Sequence, residues 1–214
     1  MKNIVSLFLS LFLIAACASS GPPKNSADVC KIFKEKRSWY KAAKRTEDRW
    51  NIPVSVTMAI IKQESSFIAA AKPPRTKLLG FIPWKRQSSA KGYAQAIDGT
   101  WEMYVNERGK WFKSRNDFDD AVDFIGWYNA KSMKQLKIEK TNARALYLAY
   151  HEGRGGYKKG SYRNKPWLLG VADKVQRQSN LYNSQYQKCK KKLGRKFFIS
   201  VSYTHLTLPT ILLV

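Results

Sequence analysis

Apolar residues recur at steps of three and four through six stretches of this chain, the spacing of helix faces that pack on a core. The pattern predicts helices over about 28–49, 53–65, 98–108, 117–136, 141–152 and 166–190. In the second stretch Pro53 suits a first helical turn, where its missing N–H costs nothing. Val54, Met58 and Ile61 then form the stripe of an amphipathic helix. DFDDAVDFIGWYN, residues 117–129, opens with acids, as helix N-termini prefer, and sets Phe118, Val122 and Ile125 at helical spacing. TNARALYLAY begins with Thr141, a capping-type residue, and buries Ala145, Leu146 and Ala149. Pro166 opens a long final helix. Strict alternation is absent outside the last residues, so the expected fold class is all-α, α+β at most.

The segment AKPPRTKLLGFIPWKRQSS, residues 71–89, breaks the helical pattern and is expected to be a loop or small hairpin. Its basic residues, with Phe81 and Trp84, suit sugar stacking with anion binding, contact with a membrane surface, or an ordinary surface insertion. No internal repeat and no second domain boundary are visible.

The string IIKQESSF, residues 60–67, places a carboxylate where the second helix ends. Glu64 lies four after Ile60 and three after Ile61, near the edge of the buried stripe. Desolvation there and the negative end of the helix dipole both raise a carboxyl pKa. A carboxyl still protonated near neutral pH is what a general acid requires. An ordinary surface glutamate at a helix end fits the spacing as well.

The two ends change the picture of the whole. MKNIVSLFLSLFLIAACASS has a short positive start at Lys2 and an apolar run, Ile4 to Ala16, too short for a comfortable membrane span. It closes in IAAC, which resembles the bacterial lipobox and would make Cys17 the lipidated first residue after a signal peptide over 1–16. The alternative is a plain secretory signal cleaved near Ala16. Residues 17–27, with a Pro-Pro pair, would be a tether, and 28–198 the folded domain. The tail 199–214, containing VSYTHLTLPT, resembles a translated sequencing adapter and is expected to be non-native; a short native β-like tail is the alternative.

An exported chain meets an oxidising compartment. With Cys17 assigned to lipid, Cys30 and Cys189 are left to form a disulfide or remain two thiols. Two cysteines and one usable histidine argue against a structural metal site, and nothing points to a cofactor. The formal charge of +24, from 39 basic and 15 acidic residues, implies an anionic partner. Nucleic acid, anionic lipid and the carboxylate-rich bacterial wall all qualify; export argues against nucleic acid.

Three segments then line up: ESSF from Glu64, GYAQAIDGTW over 92–101 and LAYHEGRGGY over 148–157. In this order they resemble the motifs of the SLT-type lytic transglycosylases, members of the lysozyme-like superfamily related to goose-type lysozyme. Glu64 and Ser65 match the first motif. Gly92, Tyr93, Ala94 and Gln95, with Thr100 and Trp101, match the second. Ala149, Tyr150, His151, Glu152 and Gly153 match the third. The resemblance covers roughly 50–160. It implies a lysozyme-like helical domain that acts on peptidoglycan glycan strands and cleaves the MurNAc–GlcNAc bond. Glu64 would be the sole acid/base, closing a 1,6-anhydro ring without water. It further implies that Ser65 orients substrate, that Gln95 hydrogen-bonds the sugar or the acid, and that Tyr150 lies near Glu64 and holds or orients its proton. Tyr93 and His151 are carried over as substrate-binding positions.

The chain departs from the family pattern at Tyr93-Ala94, which replaces Leu-Met in the cleft floor, at His151, which replaces Asn, and in a longer gap between Glu64 and Gly92. These bear on substrate preference, and they leave open a divergent relative that binds glycan without cutting it. A second carboxylate facing Glu64, from Asp98, Glu102, Asp123 or Glu152, would instead allow a water-using muramidase. The expected location is the bacterial envelope, anchored by lipid at the periplasmic face of the outer membrane.

Overall fold

The computed structural model describes residues 21–78, 82–86, 88–109 and 111–194, and the side chains of these except 76–78 and 82–85. The apolar leader, Cys17 and the tail beyond residue 194 lie outside the described residues. Helix α1 (Val29–Glu35) is capped by Asp28, whose carboxylate accepts from the amides of Cys30 and Lys31. Helix α2 (Arg37–Trp50) follows after a break at Lys36, so the first expected helix is two. Next come α3 (Val54–Ser65), strands β1 (Arg75–Leu78) and β2 (Ile82–Arg86), and α4 (Asp98–Arg108). The chain continues through α5 (Phe118–Leu136), α6 (Ala143–Lys159), a 3-10 turn at Ser161–Asn164 and α7 (Pro166–Gly194). The strands pair antiparallel, Arg75 with Arg86 and Leu78 with Ile82, so the 71–89 segment contains the small hairpin. Phe81 and the side chain of Trp84 lie outside the described structure.

Helix α3 is the centre of the fold. It packs against α7, α2 and α5, and every residue from Val54 to Ile61 is buried. The expected one-sided stripe is therefore corrected. Small polar residues, Ser55 and Thr57, occupy what would have been the wet face, and the Thr57 hydroxyl bonds the Pro53 carbonyl at 3.4 Å. A helix apolar or small all round belongs inside the domain. Pro53 sits one position earlier than expected, at the N-cap with extended ψ of 141°.

Three further expectations are corrected. The cap of α6 is Asn142, not Thr141: its side chain accepts from the Ala145 amide at 2.9 Å. That helix runs on past residue 152 to Lys159, across a kink at Gly153, whose φ of 73° and ψ of 157° are open to glycine. Residues 21–27 are docked on the domain, not free as a tether. The Gly21 carbonyl accepts from Lys36 Nζ at 2.9 Å, the Lys24 amide donates to Glu35 at 3.0 Å, and the Ser26 carbonyl accepts from the Tyr182 hydroxyl. Cys30 and Cys189 are joined in a disulfide that ties α1 to α7.

Candidate functional site

Helix α3 ends abruptly one residue after Glu64. Ser66 and Phe67 both take left-handed φ, 50° and 64°, and Phe67 turns down into the core to stack on Trp39 at 5.7 Å. A left-handed non-glycine residue costs about 1–2 kcal/mol, so the complete burial of Phe67 is what holds this turn. The turn leaves Glu64 and Ser65 on the wall of a cleft of about 760 Å³. Its opposite walls are the loop from Ser88 to Ile97 and the kinked part of α6, with Phe124 and Tyr128 of α5 behind. Pro73 and Pro74, leading into the hairpin, and the half-exposed Ile68 and Ile97 line it too.

Burial pushes the Glu64 carboxyl from its ordinary 4.5 up to about 7, and a hydrogen bond from the Tyr147 hydroxyl, which favours the ionised form, opposes the rise in part. The negative charge of Glu64 in turn adds to the burial that raises Tyr147 and Tyr150 above the ordinary phenol value. Tyr150 is thus close to Glu64, as expected, but its hydroxyl donates to the Ala94 carbonyl at 2.5 Å. The hydroxyl that hydrogen-bonds Glu64 is instead that of Tyr147, one turn earlier on the same helix. Sequence reading missed it. The available signal was the spacing of Tyr147, Tyr150 and His151, which lie three and four residues apart on one helix face.

The loop opposite is built on Gly92. Its φ is 79°, and a Cβ there would lie 2.0 Å from the Arg115 carbonyl oxygen. Gln95 lines the cleft with φ of 46°. Its side-chain amide donates to the carbonyls of Ala71 at 2.9 Å and Gly92 at 2.8 Å, which fixes the side chain and turns its oxygen the other way. Ser65 also lines the cleft, and its hydroxyl donates to the Ile61 carbonyl at 3.2 Å. Tyr93 does not. Its ring is buried edge-on to Trp39 and Phe118, at 5.6 and 5.4 Å, so the expected substrate-binding position is a core position. An aromatic ring replaces the smaller residue of the pattern because two others already enclose its site.

His151 lines the cleft with its ring against Trp167 at 5.3 Å and Nδ1 at 3.1 Å from Glu152. Glu152 is the one of the four candidate second carboxylates that reaches this cleft. Burial alone would raise its carboxyl, but hydrogen bonds from Lys165, Ser161 and His151 outweigh that and hold it at about 2. Such a carboxylate is a weak base near neutral pH. Asp98 opens α4 and pairs with Arg115 at 2.6 Å, and Glu102 is exposed on the same helix. Asp123 is buried among Arg49, Trp50, Tyr104 and Arg108, which donate to it over 2.6–3.2 Å. Among the described residues, no group of three or more His, Cys, Asp or Glu side chains converges as a metal site would require.

The arrangement offers a carboxyl of near-neutral pKa, that of Glu64, in an apolar-walled cleft with fixed amide and hydroxyl groups around it. Such a cleft suits a sugar chain bound across it and cut at one linkage. Residues 5–189 match a protein-family model described as Transglycosylase SLT domain. No curated protein matches the chain.

Proposed function

Because the chain belongs to the transglycosylase SLT domain family, and is thus a lytic transglycosylase acting on peptidoglycan, we propose that it cleaves the MurNAc–GlcNAc bond with Glu64 as general acid and then base. The observation that carries this reading is the carboxyl of Glu64, raised to about 7 by burial at the wall of the cleft. Protonated Glu64 gives its proton to the glycosidic oxygen as the bond from muramic C1 to that oxygen breaks. The carboxylate left behind accepts the hydrogen bond of Tyr147, which favours the ionised form and so eases the transfer. Glu64 then takes the proton of the C6 hydroxyl as O6 attacks C1 and closes the 1,6-anhydro ring. One C–O bond breaks, one forms, and no water is consumed.

Ser65, Gln95 and His151 are assigned to sugar binding. Tyr150 is assigned to positioning, through the Ala94 carbonyl next to Gln95. A hydrolytic muramidase would need a base for water, and Glu152, held at about 2, is poorly suited to it. A non-catalytic glycan- or membrane-binding lipoprotein would fit an exposed acid without a cleft; Glu64 is partly buried on one. We further assign the chain to the bacterial envelope as a lipoprotein attached through Cys17 at the periplasmic face of the outer membrane. The lipobox-like IAAC supports this placement.

The test is mass spectrometry of purified peptidoglycan after incubation with the protein beside Glu64→Gln. Anhydro-ended muropeptides that disappear in the variant support the proposal. Reducing-ended products replace it with hydrolysis, and absence of products with wall binding retained replaces it with a binding role.

A further inference from the structure

Trp167 stands beside the cleft without a place in the core. The buried stripe of α7 begins one residue later, with Leu168, Ala172, Val175, Ser179 and Tyr182 at steps of four and three. Adjacent residues of a helix point about 100° apart. Trp167 therefore falls off the stripe, and it is 59 % exposed. The packing of α7 requires no aromatic ring there, since an outer position is satisfied by a polar residue. The ring instead meets His151 edge to face, with centroids 5.3 Å apart. His151 lines the same cleft as Glu64, and its side chain is 36 % exposed.

Glu152 holds the pair from behind. Its side chain is 5 % exposed and accepts from Lys165 Nζ at 2.8 and 2.9 Å and from the Ser161 hydroxyl. These bonds tie α6, at its kink, to the turn that leads into α7. Lys165 is two residues before Trp167, and its carbonyl accepts the amides of Leu168 and Leu169 at 2.9 and 3.1 Å. His151 Nδ1 lies 3.1 Å from the same carboxylate. An ionised carboxylate only accepts hydrogen bonds, so Nδ1 carries the hydrogen and Nε2 is the ring nitrogen left for a ligand. One network thus positions the imidazole and the start of α7 together. A site ordered before its ligand arrives loses less entropy on binding.

We propose that Trp167 and His151 form a sugar subsite that extends the cleft to the start of α7, with the indole stacked on the face of one pyranose ring of the glycan strand and His151 Nε2 hydrogen-bonded to a polar group of that strand. A pyranose ring presents an apolar C–H face edged by hydroxyls, which suits an apolar ring set beside a polar imidazole. The substrate is a polymer, so sugars beyond the two joined at the cut must lie along or past the walls of the cleft. Trp167 is continuous with one of those walls through His151. The proposal rests on the reading of the cleft as the glycan site.

The experiment uses the mature full chain carrying Glu64→Gln, so that sugars are bound and not cut, and N-acetylglucosamine oligomers from dimer to hexamer as the probe. Calorimetry reads the affinity at each length. Affinity is expected to rise about tenfold at the length that reaches Trp167. That step is expected to vanish in Trp167→Ala and to persist in Trp167→Tyr, which keeps a stacking ring. Equal affinities in parent and Trp167→Ala at every length overturn the subsite, as does a loss of the same size at every length or in both variants. Wall digestion by the chain with Glu64 intact is measured alongside. Anhydro-ended products without a Trp167-dependent step overturn the subsite and leave the cleavage reading standing. A Trp167-dependent step without wall products supports the subsite and overturns the cleavage reading. Neither products nor oligomer binding overturns both.

Discussion

Glu64→Gln separates the chemistry of Glu64 from its cost to the fold. Below pH about 4.5 the carboxyl is protonated in both folded and unfolded chains, so it adds no pH dependence. Between 4.5 and about 7 the unfolded chain loses a proton that the folded chain keeps, so stability falls as pH rises. Above about 7 both are ionised and the loss is complete. At about 1.4 kcal/mol for each pH unit, the rise corresponds to roughly 3 kcal/mol, an upper figure because Glu64 is partly exposed to the cleft. Glutamine has the shape of the protonated acid, keeps an acceptor for Tyr147 and cannot ionise. The variant is expected to lose wall cleavage, to match the parent in stability near pH 4.5, and to exceed it by about 1–3 kcal/mol at pH 8. For a domain of this size that is a Tm difference of roughly 3–10 °C. Paired thermal unfolding scans from pH 4.5 to 8 read it directly. A Tm difference that stays constant across that range would refute the assignment of a raised Glu64 pKa to burial.

Tyr147→Phe removes the hydrogen bond that favours ionised Glu64, so the alkaline limb of the pH–rate profile is expected to move to higher pH and kcat to fall; a limb moving to lower pH refutes the role given to Tyr147. Asp123→Asn leaves Arg49 and Arg108 without the buried carboxylate they share, and denaturant unfolding is expected to show a loss of about 1–3 kcal/mol, below the full buried-pair figure because Arg49 is exposed. The Asp123 pKa is depressed, so its contribution, present above the unfolded value of 3.8, is lost as pH falls through the folded one. Gly92→Ala forces a Cβ onto the Arg115 carbonyl at positive φ, and is expected to cost more than about 2 kcal/mol and to reduce cleavage by moving Gln95. Reduction of Cys30–Cys189, which closes a loop with a sequence separation of 159, is expected to lower stability by up to about 5 kcal/mol on the chain-entropy model, read as the Tm difference with and without reductant.

Much of the fold was legible in the chain because helix periodicity, caps and stops are set by neighbours three or four residues apart. The six expected stretches correspond to helices of the domain, and the hairpin falls within the Pro-rich segment. The place of Glu64 at the end of an apolar run was legible too, although spacing alone fitted a surface glutamate as well, and the resemblance of ESSF to a family motif singled it out. The pairing of Cys30 with Cys189 was offered by export and by count, with free thiols left open, and the packing of α1 on α7 selected it.

What only the tertiary structure decided depends on groups far apart in sequence. Tyr147 rather than Tyr150 meets Glu64 because the rotation of α6 against α3 sets which hydroxyl arrives, and no local pattern encodes that angle. Tyr93 reads as a cleft residue from its neighbours, but Trp39 and Phe118 enclose it from two other elements. Residues 21–27 read as a tether from composition, yet Lys36, Tyr182 and Gln185 satisfy their carbonyls and hold them down. Sequence determined which segments become helices and where along them the Glu64 carboxyl falls. The packing of those helices determined which side chains surround it, because burial and hydrogen bonding are properties of assembled surfaces and not of the local chain.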